Sequence, residues 1–127
     1  MKAQEIRILF SQMCDFIRQE HGIDLPISLV IDYNGSYPKP RDFAKTNSKC
    51  IFLSPKILKA PRHRVEGLLR HELGHVLLMR QGDYDHSEQT ADDIAELCFG
   101  EKILYDQDGV QSTKVGVYPR PLHLPQY

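Results

Sequence analysis

The sequence predicts an α+β fold, one domain over residues 1–127, and three observations predict it. Apolar residues recur at steps of three and four over 3–20, over 62–80 and again after about residue 87, the period of helices with one buried face. Two shorter runs, 27–33 and 49–53, are β-prone and bounded by turn residues. A chain of 127 residues suits a single core and leaves no room for a second substantial one.

From Ala3 to Glu20 the stripe is Ile6, Leu9, Phe10, Met13, Phe16 and Ile17, and Gly22 can close the helix in a left-handed cap. Ile27, Leu29, Ile31 and Tyr33 alternate along one strand face, and Asn34-Gly35 signals a reversal. Ser36 to Lys45, with Pro38 and Pro40, reads as a loop, and Lys49 to Leu53 as a second short strand. Ser54-Pro55 sets a capping hydroxyl before a proline, which starts a short helix through Lys59. Pro61 opens the next, Arg62 to about Arg80, with Val65, Leu69, Leu73, Val76 and Leu77 on one side and Gly82 as its stop. Asp85 or Ser87 caps a further helix whose inward stripe is Ala91, Ile94, Ala95, Cys98 and Phe99, ended by Gly100. In the tail, Asp108-Gly109 predicts a hairpin within 107–118, and Pro119, Pro121 and Pro125 predict extended chain.

Composition excludes several classes. Sixteen basic against seventeen acidic residues give a net charge of −1, so no nucleic-acid partner is expected, and the local run Arg62-His63-Arg64 reads as a solvated first helical turn. Cys14, Cys50 and Cys98 are odd in number and widely spaced, which forms no disulfide framework and suggests a reducing, cytoplasmic setting. Neither a signal peptide nor an apolar run of membrane-spanning length is visible, so no membrane association is expected.

The chemistry concentrates in His71-Glu72-Leu73-Gly74-His75. Histidines four apart on a helix stand one above the other and can offer two imidazole nitrogens to a single ion such as zinc. Glu72 lies about a hundred degrees round the helix from His71, placed for proton transfer rather than for joining the same row. Both histidines border the apolar stripe, where a half-exposed cleft must be, and Gly74 between them leaves room for close backbone packing.

These residues resemble the zincin metallopeptidases, whose motif is His-Glu-x-x-His. Glu88-Gln89-Thr90-Ala91-Asp92 is similar to the Glu-x-x-Ala-Asp signature of the gluzincins, and the order of elements looks like a minimal zincin-like domain, nearest in kind to the ImmA/IrrE-like family. The resemblance covers roughly Ile51 to Ala95. It departs in lacking a helix-turn-helix region and a second domain, and Leu78 and Gln81 stand where a metzincin would have its glycine and third histidine. It implies a zinc cofactor on His71, His75 and an acidic third ligand, with an open fourth position. It further implies Glu72 as general base in hydrolysis of a peptide or protein substrate. The strand Lys49 to Ser54 is its candidate for pairing with an extended substrate.

Three residues compete for the third ligand: Glu88, His86 and Asp92. Glu88 stands one helical turn before Asp92, beside Ala91 and Ala95, which permit close helix approach, and is the expected ligand. Its rival role is a capping box with Asp85. Asp92, shorter, suits orienting a histidine from behind. His86 as ligand would make the protein SprT-like, and a zinc-binding interaction domain without turnover is the alternative outside enzymes. A partner for the carbonyl oxygen is available among Tyr84, His86, Tyr105, Tyr118 and His123, and sequence does not choose.

Overall fold

The computed structural model describes residues 1–34, 43–106 and 109–114, with side chains through residue 104. In chain order the elements are α1 (Ala3–His21), β1 (Ser28–Ile31), β2 (Ala44–Thr46), β3 (Cys50–Leu53), a 3-10 turn (Pro55–Lys59), α2 (Arg62–Arg80), α3 (Glu88–Phe99), β4 (Glu101–Asp106) and β5 (Gly109–Lys114). The result is an α+β domain: a mixed sheet in the order β1-β3-β2, three helices and a separate β4-β5 hairpin.

The helices follow their periodicity. Ile6, Leu9, Phe10, Met13 and Ile17 of α1 are buried, each worth roughly 1.5–3 kcal/mol of apolar transfer. Phe16 instead sits at the rim of the core, stacked on Phe99 at 5.6 Å. Gly22 takes the left-handed conformation expected of it, φ 68°, and its N–H closes the helix on Arg18 O. All five stripe residues of α2 are buried, but so are Leu68, His71, Glu72, Gly74 and Leu78, because α2 runs between α3, the sheet and the hairpin. Arg62 is solvated and paired with Glu66 at 2.7 Å, as a first-turn residue should be.

Gly74 decides how close α2 and α3 come. A Cβ there would lie 2.2 Å from Ala91 O and 3.3 Å from Ala95 Cβ, while Ala91 and Ala95 are wholly buried. Alanine at this position should gain about 1 kcal/mol in helix propensity. The clash is with backbone, however, and can be relieved only by separating the helices, at about 1–3 kcal/mol or more. Gly74→Ala is therefore expected to lower the unfolding midpoint; an unchanged or raised midpoint in thermal denaturation would contradict this packing.

Strands depart further from expectation. β1 ends at Ile31, with Leu29 and Ile31 inward, and Tyr33 is 65 % exposed rather than on the inner face. The cause is its partner: β1 runs parallel to β3, Asp32 N–H makes the last bond to Leu53 O, and Ser54-Pro55 then turns β3 away. The turn that follows is held by Asn34 N–H donating to Asp32; Gly35, Pro38 and Pro40 lie outside the described residues.

The expected loop Ser36 to Lys45 ends in a strand. β2 pairs antiparallel with β3, in the register Ala44↔Leu53, Lys45↔Phe52, Thr46↔Ile51. Asn47 makes the reversal, its Oδ1 accepting from Lys49 N–H and Cys50 N–H, both at 2.8 Å. Ladder bonds at either end, Ser54 N–H to Phe43 O and Asn47 N–H to Cys50 O, fix the alternation. Lys45 thus exchanges main-chain bonds with Phe52, and Ala44 and Thr46 turn their N–H and C=O to the outer edge, which has no strand partner among the described residues.

β3 is consequently the central strand, bonded on both sides, and cannot accept an extended peptide as Lys49 to Ser54 was expected to. The hairpin also begins earlier than expected, at Glu101 directly after the Gly100 cap, with Asp106 paired to Gly109. The expected extended segment with Pro119, Pro121 and Pro125 lies outside the described residues. Cys14, Cys50 and Cys98 are free thiols, and burial pushes Cys98 up to about 12. Among the described residues no helix is long and apolar enough to cross a membrane.

Candidate metal centre

Three side chains from two helices meet at one point. His71 and His75, successive turns of α2, bring their Nε2 atoms to 3.1 Å of each other. Glu88, the first residue of α3, sets its Oε2 2.6 Å from His71 Nε2 and 3.2 Å from His75 Nε2. The helix start frees Glu88 for this, because Ser87 is the cap: its hydroxyl accepts from Thr90 N–H at 3.1 Å. No Asp85–Glu88 capping box forms, and Asp85 N–H instead donates to the Asp83 carboxylate.

The ring nitrogens that face away are also engaged. His71 Nδ1–H donates to Asp92 Oδ1 at 2.5 Å, one turn beyond Glu88 on α3, and both residues are buried. That carboxylate fixes the His71 tautomer, so the Nε2 lone pair faces Glu88 and His75. Behind His75 stands His86: its Nδ1–H donates to Asp83 O at 2.9 Å, which leaves its Nε2 to accept from His75 Nδ1–H at 2.6 Å. A neutral imidazole has one donor and one acceptor, and this assignment uses both nitrogens of each ring consistently. The His75 Nε2 lone pair then faces the same point as that of His71. His86 and Asp92 thus back the two histidines, and Glu88 completes the triangle.

A tetrahedral ion with bonds of ~2.0–2.1 Å needs ligand atoms about 3.3 Å apart. The 3.1 and 3.2 Å edges come close to this, the 2.6 Å edge between His71 and Glu88 would have to open by a small side-chain shift, and His71, His75 and Glu88 can hold a metal ion. The surrounding carboxylates favour positive charge at this point, whether a proton on His71 or a metal ion in its place. Burial works against a charged His71, but the Glu72, Asp92 and Glu88 carboxylates outweigh it and raise its pKa. Glu88 shows the reverse balance: some desolvation, overcome by His75 and His71, which hold its carboxyl below the ordinary value.

Glu72 does not point into the triangle. It is buried, and Thr46 Oγ1–H of β2 donates to its Oε2. Burial pushes the Glu72 pKa up, against the Thr46 hydrogen bond and the two histidines, which lower it. Beside it opens a cleft of about 300 Å³ lined by Ala44, Lys45 and Thr46 of β2, Glu72, His75 and Met79 of α2, and Tyr84, His86 and Glu88. Of the five candidates for the carbonyl oxygen, Tyr84 and His86 line this cleft, and His86 is engaged behind His75. The Tyr105 side chain, Tyr118 and His123 lie outside what is described.

Thr46 is a site residue that sequence reasoning missed, and no local pattern marks it: β2 is three residues long and has no apolar alternation. Comparison with protein-family models, with curated proteins and with solved structures finds no match, so the chemistry of this cleft is argued from its own geometry.

Proposed function

We propose that the protein is a zinc-dependent peptidase of the zincin type, with His71, His75 and Glu88 as ligands and Glu72 as general base. The observation that supports it best is the convergence of His71 Nε2, His75 Nε2 and Glu88 Oε2 beside a buried carboxylate that is not part of their triangle. Zinc is favoured because two imidazoles and one carboxylate are a usual catalytic donor set for it, three protein ligands leaving a position open to the cleft.

Bound there, zinc would supply Lewis acidity toward a peptide carbonyl and make water more acidic. The chain's own residues do the rest. An extended peptide pairs with the outer N–H and C=O groups of Ala44 and Thr46, which brings its carbonyl over the cleft. Glu72 accepts a proton from the attacking water and passes it to the departing amine. Burial raises its pKa, which makes it a stronger base toward that water than an exposed carboxylate and lets it hold the proton until the amine departs. Tyr84, at the cleft rim, is the side chain available to the carbonyl oxygen.

Metal analysis of the purified chain, followed by cleavage assays on unfolded and native protein substrates, tests this reading. One zinc per chain and chelator-sensitive cleavage are expected. Zinc without cleavage of any substrate would leave a metal-binding interaction domain, and absence of zinc would remove both.

A further inference from the structure

We infer that Thr46 is a positioning residue for Glu72, and that it links peptide docking on β2 to the orientation of the base. This rests on the proposed role of Glu72. The link is built into one residue. Its side chain and its main chain leave the strand in different directions: the hydroxyl turns to Glu72 on α2, whereas the N–H and C=O point along the sheet to the outer edge.

Glu72 needs such a holder. It is only 6 % exposed, and among the described residues the Thr46 hydroxyl is its one hydrogen-bond donor. A buried carboxylate with a single bond can rotate about its terminal torsion, a broad and soft one. Fixing Oε2 on Thr46 selects the rotamer in which Oε1 is left for the cleft, where the water to be deprotonated must lie.

β2 is in turn weakly tied. It is three residues long and among the described residues is bonded on one side only, so its position depends on β3 and on the Asn47 turn. A peptide strand added at Ala44 and Thr46 would give β2 a second neighbour and hold the Thr46 hydroxyl, and with it Glu72, in place. A substrate long enough to pair with β2 should therefore be cleaved with a higher kcat, not merely a lower KM, than one truncated to the scissile dipeptide.

Thr46→Val tests this with the zinc-loaded protein, because valine keeps the shape and the main chain but not the donor. A kcat lower by about 10- to 100-fold, the worth of a hydrogen bond to a charged group, is expected at nearly unchanged KM. Thr46→Ser, which restores the hydroxyl, should recover most of the rate. A Thr46→Val rate equal to the wild type, or a Thr46→Ser rate as low as that of valine, overturns the inference.

A second measurement does not depend on turnover. In the metal-free full chain, denaturant unfolding of Thr46→Val, Glu72→Ala and the double variant forms a cycle. A double variant less destabilised than the sum of the singles is expected, and additivity overturns the contact. If the wild type cleaves nothing, the peptidase reading fails, and this cycle alone then decides whether Thr46 holds Glu72.

Discussion

Glu72→Gln is expected to keep its zinc and its fold and to lose cleavage by roughly 10²–10⁴-fold, the usual worth of a positioned general base. The separation of binding from chemistry follows from where Glu72 points. Its carboxylate lies outside the triangle of His71, His75 and Glu88, so the amide removes no ligand. Glutamine has the same shape, and its carbonyl oxygen can still accept from Thr46, so the buried site remains satisfied. What the amide cannot do is take a proton from water. Zinc content by mass spectrometry and the rate at saturating peptide read the two properties apart. Near-normal turnover would show that the base is another residue, and loss of zinc would show that Glu72 belongs to the metal site itself.

The features legible in the sequence are those encoded in helical periodicity and side-chain size. The stripe of α1, the Gly22 cap and the Gly74–Ala91–Ala95 approach are periodic or steric properties that local sequence expresses directly. His71 and His75 are legible for the same reason, since spacing on one helix fixes relative position, whereas Glu88 and Asp92 reach them from α3, a meeting that only the resemblance and the small Ala91 and Ala95 suggest. The pairing of strands was not legible. β2 exists because β3 and the Asn47 turn hold it, which makes β3 central and, among the described residues, leaves the sheet edge at Ala44 and Thr46. Tyr33 alternates correctly with Ile31, yet is exposed because its neighbour strand turns away after Leu53. His86, a rival ligand in sequence, is drawn behind His75 by the carbonyl of Asp83 in the connection between α2 and α3, a contact no spacing rule predicts.

The metal site makes the other large prediction, a ranking of five alanine variants by zinc affinity. His71→Ala and His75→Ala should abolish tight binding, because each removes one of only two nitrogen donors in a three-residue set. Glu88→Ala should follow closely, since it removes the sole anionic donor and leaves two imidazoles that only water can complete. Asp92→Ala and His86→Ala act through the far ring nitrogens and keep all three donors. Loss of such an orienting partner typically weakens metal binding by about 10–100-fold, or roughly 1.4–2.7 kcal/mol. Of these two, Asp92→Ala should cost more: Asp92 is buried and is the anion that fixes the His71 tautomer, whereas His86 is a neutral acceptor. Competition against a chelator of known affinity orders all five variants in one experiment. Glu88→Ala retaining wild-type affinity while His86→Ala loses zinc as completely as His75→Ala would put His86 in the triangle and Glu88 outside it. The site would then be a three-histidine one, and the hydrogen bond from His75 to His86 would have to break when the ion binds.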